Sequence, residues 1–470
     1  MAAISVPIES AIRSKIQEED NILARFDRLP VTRTIAATVL LLVLAWITES
    51  FDIGIIGTVI PTLRKLWTLT PADVGLLGTS STLGVVIGLA LAGHFADLIG
   101  RRKVVIIGVA WFAVFTLVGA IIPRLDWVAS MRFIAGLGEG AVFPIPYLMI
   151  AEFINPKRRG AAVGVMGALL IASYVLPSFV GAWAVASYPP QESWRILFLI
   201  GGAPLLYVLA LVRWLPESPR WLLKAGHYDE ARRMVERLED EAHLPHDADL
   251  HRIPDAAAPP AESARYHWSA VFAQPFLKRS IITWSVYGGA LLMFYAPLVY
   301  GPTILVEKGL KLGNALVFTG IMMTTAGFGS LLQGYVADRF GRKTIILTYS
   351  LLAAAGYVVL AFIDVRAAVI GAAFLVAFFG LGIFPILKLY IAEQYPTGLR
   401  GAGTGLGESA ARIVGGVLAP FYVPFILKAG GVSAVFLFVA LLAVIFLVPL
   451  MVFGRETARV TIEKAGSESG

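Results

Sequence analysis

The chain has 470 residues, of which 57% are hydrophobic and 15% charged, and its mean hydropathy is +0.75. A soluble domain carries about a quarter charged residues, so this composition argues against one and indicates that the solvent is lipid. Because the chain has no cysteine, disulfides, catalytic thiols and thiolate-ligated metals are excluded. The net charge of +7 does not indicate a nucleic-acid partner, because most of the 39 Lys and Arg lie in the termini and in alternate connections, as membrane topology requires.

The hydrophobic residues form about twelve runs of roughly 20 residues, each long enough for a helix to cross the bilayer. Only helices satisfy their own backbone hydrogen bonds over such runs in lipid. The predicted fold class is therefore an all-α polytopic membrane protein with twelve transmembrane helices in two six-helix bundles. The runs are centred near residues 48, 84, 113, 140, 172, 205, 292, 326, 353, 380, 414 and 443.

The charged segments between and around these runs predict the domain organisation. The basic residues place both termini in the cytoplasm, in a plasma (bacterial inner) membrane. The N-terminus is charged and amphipathic and lacks the apolar core of a signal peptide. The polar connector between the two bundles, residues 215–278, is either a passive tether or a regulatory segment. The predicted parts are a cytoplasmic N-terminal segment (1–34), an N-terminal bundle (35–214), the cytoplasmic connector (215–278), a C-terminal bundle (279–454) and a cytoplasmic tail (455–470).

The two halves of the chain repeat at a constant offset of 241 residues, as from Pro61 to Pro302. Separate blocks that keep one offset indicate an internal duplication. The longest matches are "GHFADLIGRRK" (93–103) with "GYVADRFGRKT" (334–344), and "FPIPYLMIAEFINPKRRGAAVG" (143–164) with "FPILKLYIAEQYPTGLRGAGTG" (384–405).

The duplicated blocks place carboxylates and arginines at cytoplasmic helix ends. Such groups can form a charge network between neighbouring helices that is made and broken as bundles move, or they can serve only as topology anchors. Two copies at one offset favour the network, because the topology rule needs cations alone. The predicted gating residues are Asp97, Arg101, Glu152, Arg159, Asp338, Arg342, Glu393 and Arg400.

The repeated G-x-x-A-D-x-x-G-R-[RK] stretch resembles the signature of the major facilitator superfamily, and the resemblance covers essentially the whole chain. "PESPRWLL" (216–223) and "YLMIAEFINPKRRG" (147–160) resemble more narrowly the sugar-porter and organic-ion (metabolite:proton symporter) group. The resemblance implies two six-helix bundles with a midplane site between them that opens to one side at a time.

Ionisable residues inside the predicted spans indicate a proton pathway. Glu49 and Asp52 share a helix face, and two carboxylates in low dielectric cannot both stay ionised without cost. "SFDIGIIG" (50–57) resembles the sugar porters' first helix, in which the acid at the position of Asp52 accepts the proton and an arginine at the position of Arg132 is its partner. Glu139 is either a second proton site or a partner of Arg132, and a static buried ion pair is the alternative to proton coupling. The predicted proton-coupling residues are Asp52, Arg132, Glu49 and Glu139.

The hexose contacts of the sugar porters are replaced in this chain. That family has a tryptophan five residues before the glutamate of helix ten, whereas Lys388 stands five residues before Glu393 here. The two glutamines and the asparagine of the family's helix-seven signature correspond to Trp284, Ser285 and Ala290. A hexose needs a ring of hydrogen-bonding side chains, so the resemblance implies a sugar-porter scaffold without the hexose site.

A second cation, Arg412, lies well inside the eleventh predicted helix, in a context similar to the A-R-x-G segment of organic-anion carriers. A lysine and an arginine beside aromatic rings suit an apolar carboxylate. Two alternatives stay open, because Lys388 could extend to the cytoplasmic end of its helix and Arg412 could pair with Glu408. The predicted substrate-binding residues are Lys388, Arg412, Trp284, Phe294 and Tyr295.

These features together predict a proton-coupled symporter that imports a small organic anion, an aromatic or other monocarboxylate, by alternating access. The alternatives are a sugar or polyol proton symporter, a proton-antiport exporter of drugs or metabolites, and a receptor that binds without translocating. An enzyme is not expected, because the sequence shows no phosphate-binding glycine loop, metal-spaced histidine cluster or nucleophile elbow. The expected partners are the substrate, protons and the bilayer, without nucleic acid, metal or cofactor. The proton gradient supplies the energy, and the chain is expected to function as a monomer.

Overall fold

The fold was analysed in a computed structural model, in which every regular element of the described residues is a helix. The described residues are 17–155, 165–246 apart from 166, 168 and 171, 267–363 and 366–457. For residues 334, 335, 338, 366, 367, 397 and 398 only the backbone is described.

The first half contains helices α1 to α6. Their bounds are Arg33–Trp67 (α1), Pro71–Ile99 (α2), Arg101–Gly119 (α3), Leu125–Phe153 (α4), Val175–Ser187 for the regular part of α5, and Pro190–Trp214 (α6). Helix α4 is interrupted at Phe143, because Pro144 and Pro146 have no backbone N–H to continue the ladder. This break lies near the middle of the span, where it exposes side chains to the space between the halves.

The second half repeats this arrangement with α7 to α12. The bounds are Phe276–Glu307 (α7), Leu312–Phe340 (α8), Arg342–Phe362 (α9) and Ala368–Glu393 (α10), and α11 begins with Thr397–Arg412. The following helix Ala419–Phe453 changes direction at Gly431, where φ is 71°, so it comprises the end of α11 and all of α12 (432–453). Helix α11 also contains a π-helical turn, Ile413–Leu418, directly after Arg412. Such turns occur often at functional sites.

Ten of the described segments are long and apolar enough to cross a membrane, and one of them, Leu399–Phe453, includes two crossings. With the shorter apolar helix α5, these segments confirm the predicted twelve-helix fold in two bundles. Gly100 and Gly341 take φ values of 98° and 101° at equivalent turns between helices, so the duplication extends to the backbone. Both glycines lie where a Cβ atom would be strained.

The two halves contact each other closely on the side opposite the connector. Gly57 lies against the backbone of Leu298 and Val299, and Gly78 lies against the hydroxyl of Tyr300. Close helix approach at small residues is the usual packing mode in membranes. The contacts between the halves are therefore dense on this outer side.

The helical part of the connector belongs structurally to the first half. A short helix, Pro219–Lys224, and a longer one, Tyr228–Ala242, follow α6. Glu239 on the longer helix accepts hydrogen bonds from Arg25 (2.5 Å) and Arg28 (2.6 Å) of the N-terminal segment. The connector helices and the N-terminal segment are thereby held together at the end of the first bundle where α6 ends.

Candidate functional site

A buried ion-pair cluster joins α1, α3 and α4 inside the first half. Arg132 Nη1 lies 2.6 Å from Asp52 Oδ2, and neither side chain is exposed. Thr116 donates a hydrogen bond of 2.8 Å to Asp52 Oδ1 and receives one from Arg132. The structure thus brings together the two residues that the first-helix resemblance pairs, and it adds Thr116, which the sequence did not single out.

The same guanidinium also contacts Glu139. Arg132 Nη2 lies 3.1 Å from Glu139 Oε1, and Ser81 on α2 donates to the other Glu139 oxygen over 2.8 Å. Glu139 is therefore a partner of Arg132, which was one of the two alternatives for it. Because Asp52 and Glu139 share one cation, their charges are not both fully compensated.

Glu49 is a third carboxyl buried in this region. Its side chain is not exposed, its Oε2 accepts a long hydrogen bond of 3.4 Å from Ser50, and its Oε1 has no hydrogen-bond partner among the described atoms. Asp52 and Glu139 share one guanidinium, so they would leave one net negative charge if both were ionised, and buried uncompensated charge is costly. The cluster is chemically suited to bind and release protons.

A cavity lies between the two halves, next to the break in α4. It is lined mainly by aromatic rings, with one lysine, one glutamate and one arginine at its polar end. The lining residues are Phe143, Tyr147, Gly167, Leu170, Tyr174, Tyr287, Leu291, Phe294, Tyr295, Phe384, Pro385, Lys388, Glu408 and Arg412. Apolar walls with a few convergent polar groups are typical of small-molecule sites.

Arg412 is buried at this polar end and is 3% exposed. Its Nη2 lies 3.2 Å from Glu408 Oε1, its Nη1 donates to the Tyr295 hydroxyl over 3.0 Å, and its Nε has no hydrogen-bond partner among the described atoms. Its Cζ lies 4.1 Å from the centre of the Phe143 ring on α4. A guanidinium held over a ring in this way is stabilised by the ring's electrons and keeps an N–H free for a ligand.

Lys388 lies in the same cavity, with its Nζ 4.5 Å from the centre of the Tyr147 ring and 4.8 Å from that of Phe143. The Nζ is 3.9 Å from Glu408 Oε1, at the outer limit of an ion pair. The ammonium is thus directed to the rings of α4. The sequence did not identify Phe143 and Tyr147, although the proline break that follows Phe143 was a signal for a site on this helix.

The predicted aromatic residues differ in their placement. Phe294 and Tyr295 line the cavity, where Phe294 packs edge-on against Phe384 at 5.3 Å between ring centres. Trp284 is not among the lining residues. Its indole N–H donates to the carbonyl of Gly403 over 3.1 Å, so Trp284 packs against α11 outside the cavity.

The predicted gating residues of the first half form a network where α3 begins and α4 ends. Arg101 Nη2 lies 3.0 Å from Glu152 Oε1, and Ser218 donates to the other Glu152 oxygen over 2.5 Å. Glu217 accepts from the backbone N–H of Arg101 over 3.1 Å at the start of α3, and burial is the main reason why the pKa of Glu217 lies above its ordinary value. Asp97 stands apart, in an exposed pair with Lys224 at 2.9 Å.

The second half contains the matching network. Arg342 Nε lies 3.3 Å from Glu393 Oε1, Thr457 donates to Glu393 Oε2, and Glu456 accepts from the backbone N–H of Arg342 over 2.6 Å. Arg400 donates to the carbonyl of Ala392 over 3.1 Å. Arg159 and the side chain of Asp338 lie outside the described residues.

The sequence analysis missed the acid and hydroxyl residues that complete these networks. They follow the last helix of each half, as Glu217 and Ser218 in one and as Glu456 and Thr457 in the other. An acid followed by a hydroxyl residue after both bundles was the available signal. Their spacing is 239 residues instead of 241, so the constant offset did not reveal it.

Comparison with known proteins is consistent with this architecture. Residues 42–410 match the family model of the Major Facilitator Superfamily, and residues 315–469 match it a second time. The chain is 28% identical to the niacin transporter NiaP of Acinetobacter baylyi, over 95% of this chain and 100% of that protein. It is 25% identical to the benzoate transport protein of the same organism, over 88% of each chain. The inward-open xylose transporter XylE of E. coli superposes with a TM-score of 0.72 at 19% identity, over 92% of this chain and 99% of that one, a likeness that shows the fold alone.

Proposed function

The chain belongs to the major facilitator superfamily of membrane transporters, and we propose that it is a proton-coupled symporter that imports a small organic anion, an aromatic or other monocarboxylate. The observation that carries this proposal is the meeting of Lys388 and Arg412 in one ring-lined cavity between the two halves. Arg412 offers a two-pronged contact to a carboxylate, Lys388 offers a point charge, and the rings of the cavity offer an apolar wall.

The printed functions of the relatives support this choice of substrate class. Niacin and benzoate, named for two relatives, are both aromatic monocarboxylates. Their carboxylate would lie between Lys388 and Arg412, and their ring would lie against Phe294 and Phe384. None of the described cavity-lining residues is an asparagine or glutamine, the side chains with which a sugar is commonly held.

Proton coupling would use the buried cluster of α1 and α4. Arg132 can pair fully with Asp52 or with Glu139 but not with both, so a proton that arrives at one carboxyl releases the guanidinium to the other. An inward proton gradient would then favour the protonated, substrate-loaded carrier. The positive-inside distribution of Lys and Arg gives the orientation for this import, with both termini in the cytoplasm.

A binding experiment with an acid and its amide tests the proposed anion site. Replacement of Lys388 by glutamine keeps the length of the side chain and removes its charge. Loss of one charge-assisted contact should weaken nicotinate binding by about 1.5–3 kcal/mol, roughly ten- to hundredfold in affinity. Nicotinamide, which has the same ring without the charge, should bind poorly to both proteins.

The matched control is Lys311→Gln, because Lys311 is exposed on the outer loop before α8. This control should bind nicotinate as the wild type does. If Lys388→Gln also binds nicotinate and benzoate as tightly as the wild type does, the anion site is rejected, and the sugar or polyol alternative becomes the leading one.

A further inference from the structure

Glu408 occupies the polar end of the cavity, where the substrate carboxylate would have to bind. Its Oε1 atom lies 3.2 Å from Arg412 Nη2 and 3.9 Å from Lys388 Nζ, so a single oxygen faces both cations. The Glu408 side chain is 16% exposed and is one of the cavity-lining residues. The Glu408 carboxylate therefore forms part of the cavity surface.

The donors that Glu408 uses are the ones that an acid ligand needs. Arg412 has its Nη1 engaged by Tyr295 and its Nη2 by Glu408, which leaves only Nε without a partner among the described atoms. A ligand carboxylate that contacts Nε and Nη2 side-on would therefore compete with Glu408 for Nη2. A second negative charge beside Glu408 would also repel it.

On the basis of the proposed anion site, we propose that Glu408 is a resident carboxylate that competes with the substrate's carboxylate for Arg412 and Lys388. This competition sets the carrier's affinity for the substrate and the rate at which the substrate is released. In the empty carrier, Glu408 partly compensates the charges of Arg412 and Lys388. When substrate binds, its carboxylate takes over that role and Glu408 turns away.

Tyr287 on α7 gives the displaced carboxylate a partner. Tyr287 lines the same cavity as Glu408, so its hydroxyl would be the hydrogen-bond donor for the carboxylate when it turns away. A carboxylate that can keep one hydrogen bond while it gives up another moves at a lower cost than one left without any. The exchange of one carboxylate for another also leaves the two cations facing a carboxylate both before and after binding.

Competition of this kind would lower affinity and speed release. A transporter must release its substrate on every cycle, and very tight binding to Arg412 and Lys388 would slow that step. A resident anion supplies the return partner for the cations when the substrate leaves. We therefore expect removal of the Glu408 charge to improve binding and to impair turnover.

The test uses purified full-length protein and nicotinate as the probe. Glu408→Gln, which is nearly isosteric, should tighten nicotinate binding about tenfold and leave nicotinamide binding within about twofold, because only the acid competes with Glu408. The rate of nicotinate exchange between equal pools in liposomes should fall. The control is Glu230→Gln, an exposed glutamate on the connector helix, which should change neither quantity. Thermal unfolding of each variant establishes that it is folded.

A second substitution distinguishes the loss of the Glu408 charge from a local packing defect. Glu408→Asp keeps the charge but shortens the side chain, so it should compete less well and tighten nicotinate binding by a smaller factor. Weaker nicotinate binding by the glutamine variant would overturn the proposal, because it would mean that Glu408 only orients Arg412. Unchanged nicotinate binding by Glu408→Gln, together with weakened binding by Lys388→Gln, would overturn the resident-carboxylate proposal and leave the anion site standing. Unchanged binding by both variants would reject the anion site itself.

Discussion

Arg132 on α4 and Asp52 on α1 form a fully buried ion pair, with Nη1 and Oδ2 2.6 Å apart. The pair connects two helices of the first bundle far from water, and the same guanidinium also reaches Glu139. An isolated structural salt bridge would need no second carboxyl. The guanidinium can therefore pair with either carboxyl, as the proposed proton coupling requires.

The first prediction concerns the proton. Asp52→Asn removes a carboxyl that can be protonated while it keeps the size of the side chain and leaves Glu139 to pair with Arg132. We expect this variant to lose uphill, pH-driven uptake and to keep most of its substrate exchange between equal pools. Uptake and exchange in liposomes measure the two activities. Asp126→Asn, at an exposed site, is the control. Full gradient-driven accumulation by Asp52→Asn would remove Asp52 from the coupling mechanism.

The second prediction concerns the outer side of the molecule. Arg64 on α1 and Glu307 on α7 form a 2.5 Å ion pair between the two halves, opposite the connector, with side chains 41% and 43% exposed. An exposed pair contributes about 0.2–1 kcal/mol, so Arg64→Gln should raise the outward-open population by up to about fivefold. The native chain has no cysteine, so single cysteines introduced on each side report accessibility directly.

The charge swap is the informative control for this ion pair. Arg64→Glu combined with Glu307→Arg should restore the wild-type labelling ratio, whereas Arg64→Glu alone should shift it further than Arg64→Gln does. Arg124→Gln, which breaks an exposed pair inside the first half, should leave the ratio unchanged. If Arg64→Gln behaves as Arg124→Gln does, the outer pair has no role in gating.

The third prediction compares how strongly Glu152 and Asp97 influence the conformation of the carrier. Glu152 is 7% exposed and is bonded to Arg101 and Ser218, whereas Asp97 and its partner Lys224 are more than half exposed. Neutralising Glu152 should therefore shift the carrier toward the inward-open state by on the order of 1–3 kcal/mol. Asp97→Asn should shift it by less than about 1 kcal/mol. Labelling of single cysteines introduced near the network measures both population shifts. An unchanged labelling ratio for Glu152→Gln would mean that the network serves only as a topology anchor.

The fourth prediction concerns how pH affects the contact between the connector helix and the N-terminal segment. Burial alone would raise the pKa of Glu239, but hydrogen bonds from Arg25 and Arg28 outweigh it and bring the pKa below its ordinary value of 4.5. The stabilisation from Glu239 is therefore fully present above pH 4.5 and is lost as the pH falls through the lowered pKa. At neutral pH, Glu239→Gln should release the N-terminal segment at a cost of about 3 kcal/mol, because it leaves a buried arginine without its counter-ion.

Limited proteolysis of the N-terminal segment measures this release. Cleavage of the Glu239→Gln protein should be more than about tenfold faster than that of the wild type at pH 7. The difference should shrink when the buffer is made more acidic than the lowered pKa. Glu230→Gln on the same helix is exposed and should be cut as slowly as the wild type. Equal cleavage of both variants at pH 7 would show that the pairing with Arg25 does not hold the segment.

Much of this protein is fixed by local properties of its sequence. The apolar runs, the basic connections and the constant offset of 241 residues were sufficient for the twelve-helix, two-bundle fold. They suffice because hydrophobic length and charge placement act on each segment separately in a bilayer. For the same reason the positions of Asp52, Arg132, Lys388 and Arg412 within the helices were predictable, since each is a charge inside an apolar run.

The partners of those charges were decided only by tertiary structure. Glu139 reaches Arg132, Glu408 stands between Arg412 and Lys388, and Trp284 packs away from the cavity. Which side chains meet depends on how the helices are rotated and how closely they approach. Contacts between distant residues set both, as where Gly84 on α2 packs against Gly136 on α4. No periodicity within a single helix contains that information, so the sequence could place the charged groups at the centre of the protein but could not pair them.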